Sequence, residues 1–200
     1  QSVVVYDQRV RMTEDRTEGD IEHELELVRR EADAGVAGAQ ARWDALQAEL
    51  ETRGQRYGGS GAAASRVAMN KVEAKRCFER AGVPTPLYEV LDRGNFDQAM
   101  TRTELPAIVK PVAAGSSVDT SIVRSRDALA SAAGLVVDRY GEALVERYIR
   151  GYEFTVGILG DEALPVCEIR TKREFYDYHA KYIDDDTQYL FDLDVPAALL

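Results

Sequence analysis

Lysine is scarce in this chain. Five stand among its 200 residues, Lys71, Lys75, Lys110, Lys172 and Lys181, and none precedes residue 71. Acidic residues outnumber basic ones by 35 to 25, and the formal charge of −10 disfavours nonspecific binding to nucleic acid or to an anionic membrane surface. Groups that hold an anion must therefore be concentrated locally, so each lysine can be weighed on its own. Cysteine is nearly absent: Cys77 and Cys167 lie far apart, and neither opens a CxxC or another metal-ligand spacing. That excludes a disulfide framework and a cysteine-held metal, and it fits small apolar thiols in a reducing compartment. No apolar run approaches the roughly 20 residues of a membrane span, and the polar N-terminal stretch has no signal-peptide pattern. A soluble cytoplasmic protein is the expectation. The phosphate-binding string GxxxxGK[ST] and any internal repeat are missing too.

What is present is enough for a packed protein. At 45% hydrophobic, 200 residues make one large domain or two small ones. Residues 3–6 (VVVY) read as a short strand, and Ile21, Leu25, Val28 and Ala32 follow helical spacing. Trp43, Leu46 and Leu50 repeat that spacing in a second helix closed by Gly54. A glycine-rich YGGSG at 57–61 precedes an alanine-rich helix that ends at Gly82, before the PTP of 84–86. Short β-type runs follow at 87–91, 107–112, 121–124, 143–149, 153–159 and 163–169. Two helices interrupt them, one opening at Asn95 with Gln98 as a capping box, the other covering 127–140 and capped by Ser125. Gly160-Asp161 turns a hairpin. The arrangement is α+β, with expected parts 1–55 (helical), 56–150 and 151–200.

Four stretches carry chemistry. In IVKPVAAGSSV, 108–118, a β-run delivers Lys110 and breaks into small residues, Ala113, Ala114, Gly115, Ser116 and Ser117. Backbone N–H groups there can approach a polyphosphate while the lysine supplies a point charge, although taken alone the pattern is more often a plain hairpin beside a lysine. In LVERYI, 144–149, alternation puts Leu144, Glu146 and Tyr148 on one face and Val145, Arg147 and Ile149 on the other. A carboxylate between apolar neighbours needs solvent or a specific hydrogen-bond partner, for which an adenine amine is one candidate. Glu153 opens the strand EFTVGIL, and its two acceptor oxygens suit ribose hydroxyls or plain solvent. The segment 175–191, FYDYHAKYIDDDTQYLF, combines six aromatics, a lysine and acids without a clean period, as binding loops do. His179 has no neighbours at ligand spacing and reads as a surface residue.

In order and spacing, four strings resemble the D-alanine–D-alanine ligases, ATP-grasp enzymes of peptidoglycan precursor synthesis. They are RYGGSGAAASRVAMNKVEAKRCFERAGVPTP at 56–86, LPAIVKPVAAGSSV at 105–118, ALVERYIRGYEFTVGILGDEALPVCEI at 143–169 and FYDYHAKYIDDDTQYL at 175–190. The resemblance implies an ATP-grasp fold, with a central subdomain over 56–150 and the start of the C-terminal subdomain from 151. It implies ATP and D-alanine as substrates, magnesium as cofactor and a homodimer as assembly. Lys71 and Lys110 would contact phosphates under a loop holding Gly115, Ser116 and Ser117. Glu146, Arg147 and Tyr148 would line the adenine pocket and Glu153 would hold the ribose. Tyr176, Lys181 and Tyr182 would sit on a loop closing over the reacting centre, with Ser116, Lys181 and Tyr182 nearest the chemistry. A tyrosine at 182 goes with an amine acceptor.

Three departures accompany the match. The family's magnesium ligands and a substrate-binding arginine are expected beyond Leu200, and residues 1–55 lack its first-substrate glutamate and His-Gly pair. With Gln1 at one end and a stop just after a helix start, a piece or divergent form of a longer ligase is the expectation. Finally, Asp119 stands where the phosphate loop usually has glycine, which implies backbone strain and a negative charge near the triphosphate. The alternative function is a non-catalytic ATP-grasp remnant that binds nucleotide or a protein partner.

Overall fold

The structure, a computed structural model, describes residues 2–3, 39–54 and 60–193. The helix expected over 21–32, most of the VVVY run and residues 57–59 of the glycine-rich string lie outside these. Two compact units result, one within 8–148 and the other made of 1–7 with 149–200. Among the described residues no helix is long and apolar enough to cross a membrane.

The first unit opens with α1 (Ala39–Thr52), ended as expected near Gly54, whose φ of +65° suits glycine. The alanine-rich stretch forms two helices rather than one, α2 (Ala62–Met69) and α3 (Lys71–Arg80). Asn70 makes the break: its Oδ1 accepts the N–H groups of Val72 and Glu73, both at 3.1 Å, so the side chain starts a new helix where the backbone would have continued the old one. A four-stranded antiparallel sheet follows in the order β2-β5-β3-β4, formed by β2 (Tyr88–Leu91), β3 (Ala107–Pro111), β4 (Ser121–Val123) and β5 (Ala143–Arg147).

Alternation along these strands sends Ala107, Val109, Ala143 and Val145 into the main core. There they meet Ala99 of α4 (Phe96–Arg102) and Leu129, Ala133, Val136 and Val137 of α5 (Arg126–Tyr140). Ser125 caps α5 as expected, its Oγ accepting the Ala128 N–H at 3.2 Å. Asn95 departs from its expected role. It makes no side-chain cap on α4; its Nδ2 donates to Val90 O at 2.9 Å and its Oδ1 accepts from Asp92 N, so it closes the turn after β2 instead. Leu144 points to the opposite face, packing with Val72 of α3 and Val112. Helix α3 thus covers the face that carries Lys110 and Glu146.

The second unit holds a sheet in the order β1-β6-β9-β10, from β1 (Ser2–Val3), β6 (Glu153–Thr155), β9 (Cys167–Arg170) and β10 (Gln188–Leu190). The strands expected over 153–159 and 163–169 each break in two, because a small hairpin of β7 (Ile158–Leu159) and β8 (Glu162–Ala163) splits off. Gly160, at φ +62°, turns that hairpin. The side chain of Leu164 lies 3.1 Å from where a Cβ on Gly157 would stand, so glycine admits the close approach. The aperiodic aromatic segment contains a short helix, α6 (Tyr178–Tyr182), before β10.

Candidate functional site

Helix α3 presents two lysines one turn apart. Lys71, its first residue, donates from Nζ to the carbonyls of Pro111 at 2.9 Å and Ala114 at 2.6 Å, while its own N–H reaches Val112 O at 3.0 Å. It therefore grips the start of the loop between β3 and β4. Lys75, four residues on, is 5% exposed. Its Nζ donates to Thr85 Oγ1 at 2.7 Å and Pro86 O at 3.0 Å, pairs with Glu146 Oε2 at 2.7 Å, and lies 4.8 Å from the centre of the Tyr88 ring. Glu146 is buried, and its other oxygen, Oε1, pairs with Lys110. Burial alone would raise the Glu146 carboxyl, but the Lys110 and Lys75 ammonium groups outweigh it and hold the group below its ordinary value.

The loop itself is built of left-handed backbone at non-glycine residues, with φ of +52° at Ser116, +57° at Ser117 and +48° at Asp119. Ala114, Gly115 and Ser116 are buried, and Val118 N–H closes a turn onto Gly115 O at 3.1 Å. The strain expected at Asp119 is present. Its charge, however, is not left unopposed: Oδ2 accepts from Arg139 Nη1 at 2.9 Å and from the Tyr140 hydroxyl at 2.7 Å, both at the end of α5. Burial and the bond to Asp119 push the Tyr140 hydroxyl up to about 12. At the far end of β5, Arg147 is exposed and its N–H donates to Leu87 O at 2.9 Å. The Tyr148 N–H reaches Pro106 O, and the Arg124 guanidinium stacks 5.9 Å from the Tyr148 ring centre. Leu87, Tyr88, Thr103, Glu146 and Arg147 help line a cavity of about 210 Å³.

In the second unit Glu153 is half-buried at the start of β6, and its Oε1 accepts the Tyr176 N–H at 3.2 Å. Burial raises its carboxyl above the ordinary value, and that N–H and the Lys181 charge only partly oppose the rise. Lys181 Nζ lies 5.2 Å from the centre of the Tyr176 ring, whose hydroxyl is 2.5 Å from that of Tyr189. Burial and the Tyr189 contact raise the Tyr176 hydroxyl. Asp177 caps α6 by accepting the Ala180 N–H at 2.8 Å, and Thr187 Oγ1 ties the helix to the following segment through Ala180 O. Tyr182 is exposed, in tilted contact with Tyr178 at 4.9 Å. Glu153 also lines a cavity of about 240 Å³ with Glu168, Arg170 and Phe175.

Within the first unit the structure brings Lys71 to the loop of Gly115, Ser116 and Ser117, and Lys110 to Glu146. Within the second it brings Glu153, Tyr176 and Lys181 together, with Tyr182 on the exposed side of α6. Two participants escaped the sequence reading. Lys75 was signalled by its spacing from Lys71, and the buried Glu168, held by Arg170 through two bonds of 2.9 Å, was signalled by the i,i+2 pairing along one strand face. Among the described residues no group of three or more His, Cys, Asp or Glu is placed to hold a metal ion, and His179 is exposed.

A family model described as the D-ala D-ala ligase C-terminus matches residues 77–199. The D-alanine–D-alanine ligase of Chromohalobacter salexigens is 43% identical over 147 residues, which are 72% of this chain and 46% of that protein. A crystal structure of the D-alanine–D-alanine ligase from Bacillus anthracis is similar with a TM-score of 0.62 at 36% identity, covering 77% of this chain and 51% of that one. A second structure of that ligase, complexed with ATP, gives 0.61 at 29% identity over 77% and 49%. The chain spans about half the length of the curated relatives it matches. On sequence and on fold, this α+β ATP-grasp chain belongs to the D-alanine–D-alanine ligase family.

Proposed function

We propose that this chain is the nucleotide-holding part of an ATP-dependent ligase that joins two D-alanines through an acyl phosphate for peptidoglycan precursor synthesis. The observation that carries the reading is the loop of residues 113–120, gripped at its start by Lys71 and adjoining Lys110 at the end of β3. Small residues let backbone N–H groups of such a loop approach a triphosphate closely, and two ammonium groups beside it supply the opposite charge. Lys71 and Lys110 then contact phosphates, and Gly115, Ser116 and Ser117 cover them. Glu146, Arg147 and Tyr148 face the adenine, and Glu153 accepts from the ribose.

In the reaction, a D-alanine carboxylate attacks the γ-phosphorus, the bond to the β,γ-bridging oxygen breaks, and ADP leaves with an acyl phosphate formed. The amine of a second D-alanine attacks that carbonyl, loses a proton and expels phosphate. The lysines oppose the negative charge that gathers on the transferring group. Tyr176, Lys181 and Tyr182 belong to the segment that closes over the reacting atoms and keeps water from the acyl phosphate.

Magnesium–ATP raises the melting temperature of the chain by several degrees at concentrations well above its dissociation constant, and Lys110→Ala abolishes the rise. A melting curve unmoved by nucleotide in the unsubstituted chain defeats the nucleotide reading. D-alanine-dependent phosphate release from ATP tests ligation; a nucleotide-induced shift with no phosphate release from a longer gene product favours the non-catalytic alternative.

A further inference from the structure

Lys75 stands apart from the other lysines because its ammonium group is buried and fully engaged. An ammonium has three N–H donors, and here Thr85 Oγ1, Pro86 O and Glu146 Oε2 take one each, at 2.7, 3.0 and 2.7 Å. Those partners come from the turn after α3 and from β5, and the Tyr88 ring of β2 closes the remaining side at 4.8 Å. Nothing in this geometry lets Lys75 reach out to a ligand. What it does reach is Glu146, whose second oxygen pairs with Lys110. Lys110 is the more accessible partner, with 22% of its side chain exposed against 7% for Lys75.

We infer that Lys75 is a positioning residue of the nucleotide site, holding the Glu146 carboxylate so that Lys110 is released to a phosphate without leaving a buried charge unpaired. The inference rests on the nucleotide reading of Lys110 proposed above. The physical reason is the cost of an uncompensated buried carboxylate. With Lys110 as its only counter-charge, Glu146 would resist the departure of that lysine toward a ligand, because the carboxylate left behind would have neither water nor a cation. With Lys75 fixed at the other oxygen, Lys110 is shared rather than captured. The charged groups facing Glu146 are Lys75 from α3 and Lys110 from β3, and Tyr88 faces it from β2 in direct register.

The test is calorimetric binding of magnesium–ATP to the full chain, with Lys75→Met, Glu146→Gln and the double variant, at neutral and at acid pH. Binding by the unsubstituted chain is measured first; its absence overturns the nucleotide reading and this inference together. Given binding, Lys75→Met weakens it about 10-fold at neutral pH. The deficit shrinks as pH falls, because protonating Glu146 removes the charge that captures Lys110. It also disappears in the Glu146→Gln background, where that charge is gone. Lys75→Arg, which keeps a cation, restores most of the affinity. Affinity unchanged by Lys75→Met, or a loss that is the same at both pH values and adds to that of Glu146→Gln, overturns the proposal. If Lys75→Met does not fold, Lys75→Gln carries the same comparison, since it keeps hydrogen bonding and loses the charge.

Discussion

Two glutamates, seven residues apart in the chain, show how differently this molecule treats the same side chain. Glu146 is buried between two lysines and held below its ordinary value, whereas Glu153 is half-buried beside one N–H and a more distant lysine and is pushed above it. Both lose water on folding, so burial acts in the same direction on each. The difference is the number of cations placed within contact: two at Glu146 and none at Glu153, where Lys181 acts only at range. A carboxylate in the interior is thus kept charged or made easy to protonate by its neighbours, more than by its depth.

The comparison breaks most visibly in stability. Replacing Glu146 by Leu leaves Lys75 buried beside an apolar group and costs on the order of 3–5 kcal/mol of folding free energy, read by urea denaturation. Glu153→Leu, which removes a carboxyl that burial has already pushed above its ordinary value, stays within about 1 kcal/mol. Equal losses at the two positions would show that the neighbouring cations do not set the two glutamates apart.

A smaller effect appears on titration, with opposite signs. The lowered Glu146 value contributes stability that is present above the ordinary glutamate range and is lost as pH falls through the folded value. The raised Glu153 value contributes stability present at low pH and lost as pH rises through its folded value. Glu153→Gln therefore flattens the stability curve on the alkaline side of the ordinary glutamate range, and a Glu146→Gln variant flattens it on the acid side. Denaturation midpoints measured across that range separate the two.

The smallest effect belongs to Asp119, a third acid whose partners lie on the surface side of its unit. Asp119→Asn keeps a residue that tolerates positive φ and removes the charge from Arg139 and Tyr140. Stability changes by less than about 1 kcal/mol, as for exposed ion pairs. The titration of Tyr140, followed by tyrosinate absorbance, moves down from about 12 toward the ordinary tyrosine value. An unmoved Tyr140 would show that the Asp119 contact is not maintained in solution.

Local signals were legible where one residue type sets one geometry. Gly54 and Gly160 ended or turned their elements, Ser125 capped α5, and alternation assigned Leu144 and Val145 to opposite faces. Signals failed where a side chain had two outlets. Asn70 started a second helix inside an apparently continuous one, and Asn95 served a turn instead of its cap, because an amide bonds whichever backbone group the fold brings close. The break in the strands around Gly157 is not legible in their apolar pattern, because Leu164 packs against that glycine only once the hairpin between them has closed.

The amino-acid sequence alone determined the family, the order of the elements and which residues carry charge, since motif order, period and capping chemistry are local properties. The tertiary structure alone decided what each charge meets. Lys75 has no role legible in the sequence, yet the fold closes Thr85, Pro86 and Glu146 around it, and Asp119, expected to bring a negative charge near the triphosphate, has its carboxylate held at α5 by Arg139 and Tyr140. The physical reason is range: propensity acts over a few residues, whereas an ion pair forms between groups that only packing brings within a few ångströms.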